Sequence, residues 1–521
     1  MVDVMPTKTG YSVVWFKRDL RVEDHAPLVA AARQGGVVCL YIIEPSVWSA
    51  PDASLRQFAF LRECLRDLFK ALRSLGLTLH IFTGEAVDVL NRLYQQAPFQ
   101  SLLSHQETGN RITFDRDKAV KAWCQHHRIE WLEYEPYGVF RRLKSRDEWQ
   151  QRWEWHMKQP ILPPPSDLRT INLRATVDVP QPRDLGLGDT DAPLRQKGGR
   201  ANALLTLSSF LEERAERYRG GISSPLTAFD ACSRLSPYLS WGCLSIREVV
   251  QATRHKLQVS EPSINQRHHA GLRAFLSRLY WHCHFIQKLE SEHRIETHCM
   301  HPGYHGLRDN DWNAQHFEAL IHARTGWPLV DACVRALNAT GWINFRMRAM
   351  LVSVAAYPLW LHWRPVGLWL ARQFVDYEPG IHWSQMQMQS GTTGINPPRV
   401  YNPIKQAVDH DPKGIFVRRW LPHMRKVPHS WLFEPWQMPD SVREHAGITP
   451  DEIVQPVVSL EEATRTAKHR LYQLRKTPEI RAARQAVLQR HGSRKRPLQR
   501  RTSTATAPSV RQLTLDLQDG P

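Results

Sequence analysis

The sequence predicts an α/β N-terminal domain with a doubly wound parallel sheet, followed by an all-α C-terminal domain. Three features of the 521 residues predict this division. Short apolar and β-branched runs alternate with helical patterns over residues 1–137, as in a parallel sheet with crossover helices. Pro, Gly, Asp and Lys dominate parts of residues 138–200, which indicates an inter-domain linker. Residues 201–470 show a helical pattern rich in Trp.

The predicted strands of the first domain are short apolar runs bounded by polar or turn residues. They are Ser12–Phe16, Val37–Ile43, Leu77–Phe82, Ser101–His105 and Glu130–Glu133. Between the second and third strands, apolar residues recur three or four positions apart from Leu55 to Leu75, which predicts a helix that ends at Gly76. No G-x-G-x-x-G motif follows the first strand, so we do not expect the usual dinucleotide site in this domain.

The second domain is predicted from helical spacing and from helix start and stop signals. One predicted helix has Pro328 in its first turn and Gly341 after its end. A terminal helix is predicted over residues 471–492. Residues 493–521 are basic, polar and poor in apolar residues, and we expect them to be disordered.

The formal net charge of +18 favours a polyanionic partner, because each neutralised phosphate releases counterions. Nucleic acid is the leading candidate, and Lys and Arg that only solubilise the surface are the alternative. The eight Cys form no C-x-x-C pair and the chain begins without an apolar leader, which predicts a cytoplasmic protein. The longest apolar run, Leu351–Leu361, is too short to span a bilayer, so no membrane association is expected.

Four segments resemble the photolyase/cryptochrome family, and they occur in the family's order. They are Trp15–Arg21, Cys232–Ser245, Thr325–Arg348 and Tyr401–Pro422. On these segments the chain is identified as a divergent, bacterial-type member of that family. The resemblance implies that the helical domain binds FAD. The identity of an antenna chromophore, of folate or deazaflavin type, stays open, although Glu107 resembles the carboxylate that binds folate in some members.

The resemblance also implies which residues hold FAD. Small hydroxyl residues and backbone N–H groups at a helix start suit its phosphates. Arg348 and Asp376 are implied to form an ion pair beside the isoalloxazine ring, where an arginine stabilises added negative charge; a plain structural salt bridge is the alternative. The implied FAD-site residues are Tyr218, Ser233, Arg234, Leu235, Ser236, Arg278, His282, Phe345, Arg348, Asp376, Glu378 and His382.

The residues implied in catalysis are Arg278, Trp281, His382, Met386 and Trp363. Trp281 stands where the family stacks an aromatic ring on a flipped-out pyrimidine dimer. Arg278 replaces a glutamate of cyclobutane-dimer photolyases, and His382 replaces the Asn that faces flavin N5. Met386 stands where the family's electron-transfer tryptophans begin, and Trp363 matches the middle member of that series.

Other positions also depart from the family pattern. Phe345, Ala349 and Met388 stand where Asn, Met and Trp are common in the lesion pocket. Trp383 is an alternative inner member of the electron-transfer series, and Trp312 lies near the outer position. The FAD pocket is therefore better preserved than the lesion pocket.

Two hypotheses of function follow from the resemblance, with a third class beside them. The leading one is a deoxyribodipyrimidine photo-lyase-like enzyme that repairs pyrimidine dimers in ultraviolet-damaged DNA by electron transfer from reduced FAD under blue light. The alternative is a cryptochrome-like blue-light photoreceptor without repair activity, favoured by Arg278 and His382. A helical DNA-binding scaffold without a cofactor is the third.

No metal site is predicted, and one short motif points to a protein partner. No Cys follows Cys333, which argues against the family branch with an iron–sulfur cluster. Gln512–Leu517 resembles the hexapeptide by which bacterial repair proteins dock on the sliding clamp, with an incidental apolar tail as the alternative. The following side chains suit zinc but meet no accepted spacing: His293, His298, Cys299, His301 and His305.

Overall fold

The computed structural model describes residues 10–492, except residues 144, 167, 172–178, 189, 260–264 and 396. The predicted tail over residues 493–521, with Gln512–Leu517, lies outside the described residues.

The N-terminal domain is built on one parallel sheet. Its strands are β1 Tyr11–Phe16, β2 Gly36–Ile43, β3 Leu79–Thr83, β4 Ser101–His105, β5 Glu130–Tyr134 and the short β6 Arg169–Thr170. The order is β3-β2-β1-β4-β5, and β6 pairs with the start of β2. In the central register Val13 lies opposite Val38 of β2 and Leu102 of β4. All residues of β1 and β2 are buried, as expected for parallel strands covered on both faces.

Helices cover both faces of this sheet. They are α1 Ala26–Gln34, α2 Pro45–Trp48, α3 Leu55–Ser74, α4 Ala86–Gln96 and α5 Arg111–His126. Val13 and Trp15 pack with α4 and α5 on one face, and Val14 and Phe16 pack with α3 on the other. The helix predicted between the second and third strands is confirmed, and it ends before Gly76 at a φ of +76°.

The predicted linker over residues 138–200 is partly folded. It contains α6, Trp149–Lys158, as well as β6. Trp149, Trp153 and Met157 of α6 recur four residues apart and are buried, so they form one apolar helix face. This helix was not predicted, because the Pro-rich sequence that follows it indicated a linker.

The remainder of the described chain is mainly helical. Its helices are α7 Arg200–Ser209, α8 Ala215–Gly221, α9 Ala228–Ala231, α10 Ser236–Ser240, α11 Ile246–Val259, α12 Gln266–Ser291, α13 Ala314–Ile321, α14 Pro328–Thr340, α15 Phe345–Ala356, α16 Trp363–Gln373, α17 Pro379–Ser390, α18 Pro403–His410, α19 Ile415–Trp420, α20 Asp440–His445, α21 Leu460–Arg475 and α22 Pro478–His491. A π-helical turn, Phe210–Arg214, joins α7 to α8. The predicted fold class, a doubly wound parallel α/β domain followed by a helical domain, is confirmed.

The 26-residue helix α12 organises the helical domain, because it packs against both α8 and α17. Two glycines permit these close contacts. A Cβ at Gly271 would overlap the carbonyl oxygen of Ala215 in α8, and a Cβ at Gly380 of α17 would lie 2.6 Å from Cα of Ile286. The α/β domain braces the same region, since Gln57 Nε2 donates to the carbonyl of Ala371 at 2.8 Å. No helix in the described ranges is long and apolar enough to cross a membrane.

Candidate functional site

Most of the predicted FAD-site residues surround one cavity in the helical domain. The cavity has a volume of about 260 Å³. It lies between the segment before α10, one side of α12, and the facing helices α15 and α17. The predicted residues that line it are Tyr218, Ser233, Arg234, Ser236, His282, Phe345, Arg348, Asp376, Glu378 and His382. Sequence positions more than 160 residues apart therefore meet in one wall.

Two predicted FAD-site residues, Leu235 and Arg278, are not among the residues that line the cavity. Leu235, just before α10, is 1% exposed and packs in the hydrophobic core, which is where an apolar side chain at this position is most stable. Arg278 of α12 hydrogen-bonds the side chain of Tyr218, which itself lines the cavity. The side chain of Leu235 thus packs in the core and Arg278 contacts a lining residue, and the predicted contacts of both residues with FAD stay predictions.

Arg348 and Asp376 form the predicted ion pair. Arg348 Nη2 lies 2.8 Å from Asp376 Oδ2, and Arg348 Nε donates to the carbonyl of Ile343 at 2.8 Å. The guanidinium also stacks over Phe374, 4.0 Å from the ring centre. Asp376 Oδ1 is buried without a hydrogen-bond partner. The cation is thus fixed from three sides, while its carboxylate partner keeps one oxygen for a ligand.

Arg234 contributes a second cation to the cavity. Its backbone has a φ of +61°, which is uncommon outside glycine, and its guanidinium lies 3.8 Å from the ring centre of Trp342. Burial lowers the pKa of Arg234 to about 10, and its Nη1 is buried without a hydrogen-bond partner. A desolvated guanidinium with an unused N–H is well suited to bind an anion such as phosphate.

His382 presents a neutral ring to the cavity. Its Nε2 lies 2.9 Å from the carbonyl oxygen of Gly367, and a carbonyl only accepts, so Nε2 carries the proton. Burial lowers the pKa of His382 to about 4, so the ring is neutral at physiological pH. Nδ1 is therefore unprotonated, and His382 can act as a hydrogen-bond acceptor in this wall.

Glu378 connects the cavity to the α/β domain. Arg18 of the segment after β1 lies 3.4 Å from Glu378 Oε2 and donates to the carbonyl of Tyr377 at 3.1 Å. Burial raises the pKa of Glu378 to about 7, and Oε1 is buried without a partner. The first predicted motif, Trp15–Arg21, therefore supports the wall of the cavity although it lies in the other domain.

The unsatisfied polar atoms of this wall test whether the residues present fit FAD. A buried polar atom without a partner costs about 1–3 kcal/mol, so a group of them around one cavity indicates a ligand site. Both donors and acceptors are available, as the phosphates and the ring of FAD require. The buried lining atoms without a partner are Arg234 Nη1, His282 Nδ1, Asp376 Oδ1, Glu378 Oε1, Gln385 Nε2 and Gln389 Oε1. The four of these residues that were predicted to hold FAD, namely Arg234, His282, Asp376 and Glu378, fit that cofactor.

Among the lining residues that the sequence analysis did not predict, three lie on α17: Ile381, Gln385 and Gln389. They lie on the same face of α17 as His382 and Met386, at helical spacings of three and four residues. The signal was present in the sequence, because extending the helical face from His382 toward Ser390 identifies both glutamines. It was overlooked because these positions matched no family residue.

The predicted catalytic residues occupy three different places. His382 and Met386 line the cavity. Trp281 is half-buried on α12, outside the lining, and packs against His284 at 4.9 Å between ring centres. Trp363 is 2% exposed and lies behind the cavity wall. Of the five predicted catalytic residues, His382 and Met386 thus line the cavity, Arg278 contacts the lining residue Tyr218, and Trp281 and Trp363 lie outside the lining.

Trp383 lies in contact with both His382 and Trp363 and so forms a series of aromatic rings with them. Its ring centre lies 5.9 Å from that of Trp363 and 4.9 Å from that of His382. Trp383 is fully buried, and Trp312, predicted near the outer position, is 41% exposed. Trp383 therefore connects a cavity-lining residue to Trp363, which agrees with its predicted role as an alternative inner member.

A second cavity, of about 100 Å³, lies in the α/β domain at the carboxyl end of β1. Trp15, Trp48 and Trp241 line it, and the rings of the last two stack with centres 6.1 Å apart. Glu107, the residue that resembles a folate-binding carboxylate, also lines this cavity. Tyr377 lines both cavities, so they share a wall.

The polar side of the second cavity is a compact charge network. Arg116 lies 2.9 Å from Glu44, 2.7 Å from Glu107 and 2.8 Å from Asp117. Burial raises the pKa of Glu44 to about 7. Arg116 therefore contacts three carboxylates, of which Asp117 also lies 3.7 Å from Lys17 and 3.4 Å from Arg141.

The side chains considered as zinc ligands point to separate partners. His301 Nε2 lies 3.0 Å from the carbonyl of Ile480, and Cys299 Sγ donates to the carbonyl of Tyr304. Among the described residues, one group of potential ligand atoms does converge: Asp19, His25 and His105.

In this group Asp19 Oδ2 lies 3.0 Å from His25 Nε2 and 2.7 Å from His105 Nδ1. His25 Nδ1 accepts from the backbone N–H of Leu28, so Nε2 is protonated and donates to Asp19. The carboxylate is thus engaged in hydrogen bonds that hold the loop after β1.

Comparison with known proteins adds to this geometry. A family model described as DNA photolyase matches residues 12–139, and a model described as the FAD-binding domain of DNA photolyase matches residues 275–473. The fold and the cavity therefore define a two-domain flavoprotein whose helical domain is an FAD-binding domain.

Similar proteins carry the names of both photolyases and cryptochromes. Cryptochrome DASH of Gloeobacter violaceus is 28% identical over 485 residues, covering 88% of this chain and 94% of that protein. The deoxyribodipyrimidine photo-lyase of Salmonella typhimurium is 28% identical over 486 residues, covering 88% and 97%. A bacterial class III photolyase from Agrobacterium tumefaciens has a similar fold, with a TM-score of 0.78, 22% identity and coverage of 92% and 100%.

This chain belongs to the photolyase/cryptochrome family. Because a cryptochrome and a photo-lyase match it at the same identity, family membership alone does not select between repair and light signalling.

Proposed function

We propose that this chain is a light-driven DNA repair enzyme of the deoxyribodipyrimidine photo-lyase type, which acts on pyrimidine dimers in ultraviolet-damaged DNA. The observation that carries the proposal is the position of Trp281. Trp281 is half-buried on α12 and directly precedes His282, which lines the cavity, in a chain with a net charge of +18. A half-buried aromatic ring on the helix that contributes to the cavity is available to stack on an extrahelical base, an interaction of about 1–3 kcal/mol.

Within the cavity, we assign Ser233, Ser236 and Arg234 to the pyrophosphate of FAD, and Arg348 with Asp376 to the isoalloxazine ring. When bound and reduced, FAD supplies the electron that, under blue light, splits the dimer. The fixed guanidinium of Arg348 stabilises negative charge on the ring. With FAD bound, the unprotonated Nδ1 of His382 would accept a hydrogen bond from a ring N–H of the reduced flavin, which would favour the reduced ring because the oxidised ring lacks that proton.

The second cavity supports the proposal of an antenna chromophore of folate or deazaflavin type. Trp15, Trp48 and Trp241 offer aromatic surfaces for a planar ring system, and the Arg116 network offers charged hydrogen-bonding groups. The wall shared through Tyr377 puts the two cavities side by side, which suits energy transfer from an antenna to FAD.

The second candidate function is a cryptochrome-like photoreceptor. It is favoured by the same cavity, because Phe345 and Ala349 line it where lesion-pocket Asn and Met are common in the family. Arg278, in place of a glutamate, also removes an acid that would hydrogen-bond the lesion.

The test is a repair assay on two defined substrates. The purified protein, with its flavin chemically reduced, is given duplexes that contain one cyclobutane dimer or one (6-4) lesion and is illuminated with blue light. Restored thymines, measured by chromatography, are expected for at least one lesion and not in the dark. If neither lesion is repaired although the flavin is fully reduced, the repair proposal fails. A light-dependent flavin spectral change with partner binding would then support the photoreceptor.

A further inference from the structure

Two glutamines of α17, Gln385 and Gln389, form an amide pair in the wall of the flavin cavity. Gln389 Nε2 donates to Gln385 Oε1 at 3.3 Å. Gln385 Nε2 and Gln389 Oε1 are buried without a hydrogen-bond partner. Exchanging the oxygen and nitrogen of both amides would preserve their mutual contact and would again leave one donor and one acceptor unused. In either orientation the pair offers one donor and one acceptor to a ligand.

The surroundings of the pair favour a flat, mostly apolar ligand. Phe345, Ala349 and Val352 of α15 line the same cavity, and α15 packs against α17. These three residues recur at helical spacing, so they form one apolar face. The ligand that fits this end of the cavity is therefore a ring with apolar faces and with one donor and one acceptor on its edge.

The pair lies apart from the residues assigned to the flavin ring. Gln385 and Gln389 follow His382 by about one and two turns of α17, which is about 4.5 and 10.5 Å along the helix axis at 1.5 Å per residue. His382 and the Arg348–Asp376 pair provide the polar contacts already assigned to the isoalloxazine ring. The two amides are thus surplus to that assignment.

We infer that the Gln385–Gln389 pair reads the imide edge of an extrahelical pyrimidine base. Gln385 Nε2 donates to the C4 carbonyl of the base, and Gln389 Oε1 accepts from its N3–H. This inference rests on the proposed repair function, because it requires a damaged pyrimidine in the cavity. It also explains how the site recognises a base although Phe345 and Ala349 have replaced the common polar and flexible side chains.

The first test removes each amide while keeping its volume. The variants are Gln385→Met and Gln389→Met, with Gln437→Met as a matched control, since Gln437 is exposed and hydrogen-bonds Glu434. Binding of a fluorescent duplex with one thymine dimer is measured in the dark by anisotropy. Each cavity variant is expected to bind the damaged duplex about fivefold to tenfold more weakly, as for one lost hydrogen bond. Affinity for the undamaged duplex and FAD content per chain should stay unchanged.

The second test addresses the atoms of the base. A dimer methylated at N3 lacks the N3–H group that is inferred to donate a hydrogen bond to Gln389 Oε1. The unmodified protein should lose about as much affinity for this substrate as the Gln389→Met variant loses for the ordinary dimer. On the methylated dimer, Gln389→Met should cost nothing further, since the two changes remove the same contact.

The outcomes separate this inference from the proposed function. If the unmodified protein prefers damaged DNA but both cavity variants bind it equally well, the base-reading role is wrong and the repair proposal survives. Loss of FAD from either variant would place the amides on the flavin and would also overturn the inference. An unmodified protein without any preference for damaged DNA contradicts the repair proposal, and the inference with it.

Discussion

Replacing Arg234 with Met should increase the stability of the flavin-free protein and lower its affinity for FAD. Burial lowers the pKa of Arg234 to about 10, a displacement from its ordinary value that corresponds to about 3 kcal/mol of unfavourable desolvation. Contact with the Trp342 ring, 3.8 Å from the guanidinium, offsets about 1–2 kcal/mol of this cost. Met keeps a favourable contact with the ring. The flavin-free variant should therefore be more stable by about 1–2 kcal/mol.

The same substitution removes a cation from the proposed pyrophosphate site. A hydrogen bond to a charged group contributes about 1.5–3 kcal/mol, so the Kd for FAD should rise about tenfold to a hundredfold. Urea unfolding of the flavin-free protein measures the stability, and quenching of FAD fluorescence measures the affinity. An Arg234→Met variant that is less stable without FAD, or that binds FAD as tightly as before, would refute the reasoning.

Arg308→Met is the matched control. Arg308 is 2% exposed, burial lowers its pKa to about 10, and its Nε and Nη1 lack partners. It stacks over Trp360 at 4.5 Å, as Arg234 does over Trp342, but it does not line the flavin cavity. This variant should leave the affinity for FAD unchanged.

Three further predictions concern protonation, electron transfer and the second cavity. The pKa of His382 is about 4 in the folded protein and about 6.5 in the unfolded chain, so only the unfolded chain takes up the proton between these pH values. The free energy of unfolding should therefore fall between pH 6.5 and pH 4, by up to about 3 kcal/mol from this residue. In urea titrations, His382→Gln should make this dependence on pH less steep, and an unchanged dependence contradicts a neutral, buried His382. Trp383→Phe and Trp363→Phe should each slow photoreduction of the flavin by added thiol, whereas Trp312→Phe, at an exposed position, should not. Equal rates for all three variants exclude electron transfer through Trp383 and Trp363. Arg116→Met removes the ion-pair partner of the buried Glu44 and of Glu107 and one of the three described partners of Asp117, and it should destabilise the protein by about 3–5 kcal/mol in thermal and urea unfolding. A loss below about 1 kcal/mol would mean that the network is not stabilising.

Much of the fold was predictable because it depends on local periodicity. The strands of the α/β domain and the long helix after the second strand follow from short-range spacing of apolar residues. The strand boundaries moved by one or two residues, as for β3, which begins at Leu79 rather than Leu77. Helix α6 was missed because its three buried apolar residues lie in a segment whose composition indicates a linker.

The lining of the candidate site was predictable mainly at positions where a residue type matched a family position, although not every such residue lines the cavity. Arg348 and Asp376 form the predicted pair. Leu235 did not reach the cavity, because neighbours in sequence at a helix start point in different directions and an apolar side chain packs inward. Gln385 and Gln389 were not predicted, since only their position on the same face of α17 as His382 shows that they line the cavity.

By itself, the sequence determined the class of the two domains, the family and several of the side chains that line the candidate FAD cavity. These features follow from the local spacing of apolar residues and from the chemistry of each side chain, both of which can be read from the sequence. Only the tertiary structure decided the protonation of His382, the cost of burying Arg234 and the unused amide atoms of Gln385 and Gln389. Each of these depends on desolvation and on partners distant in sequence, such as Gly367 for His382 and Trp342 for Arg234, and such contacts exist only when the chain is folded.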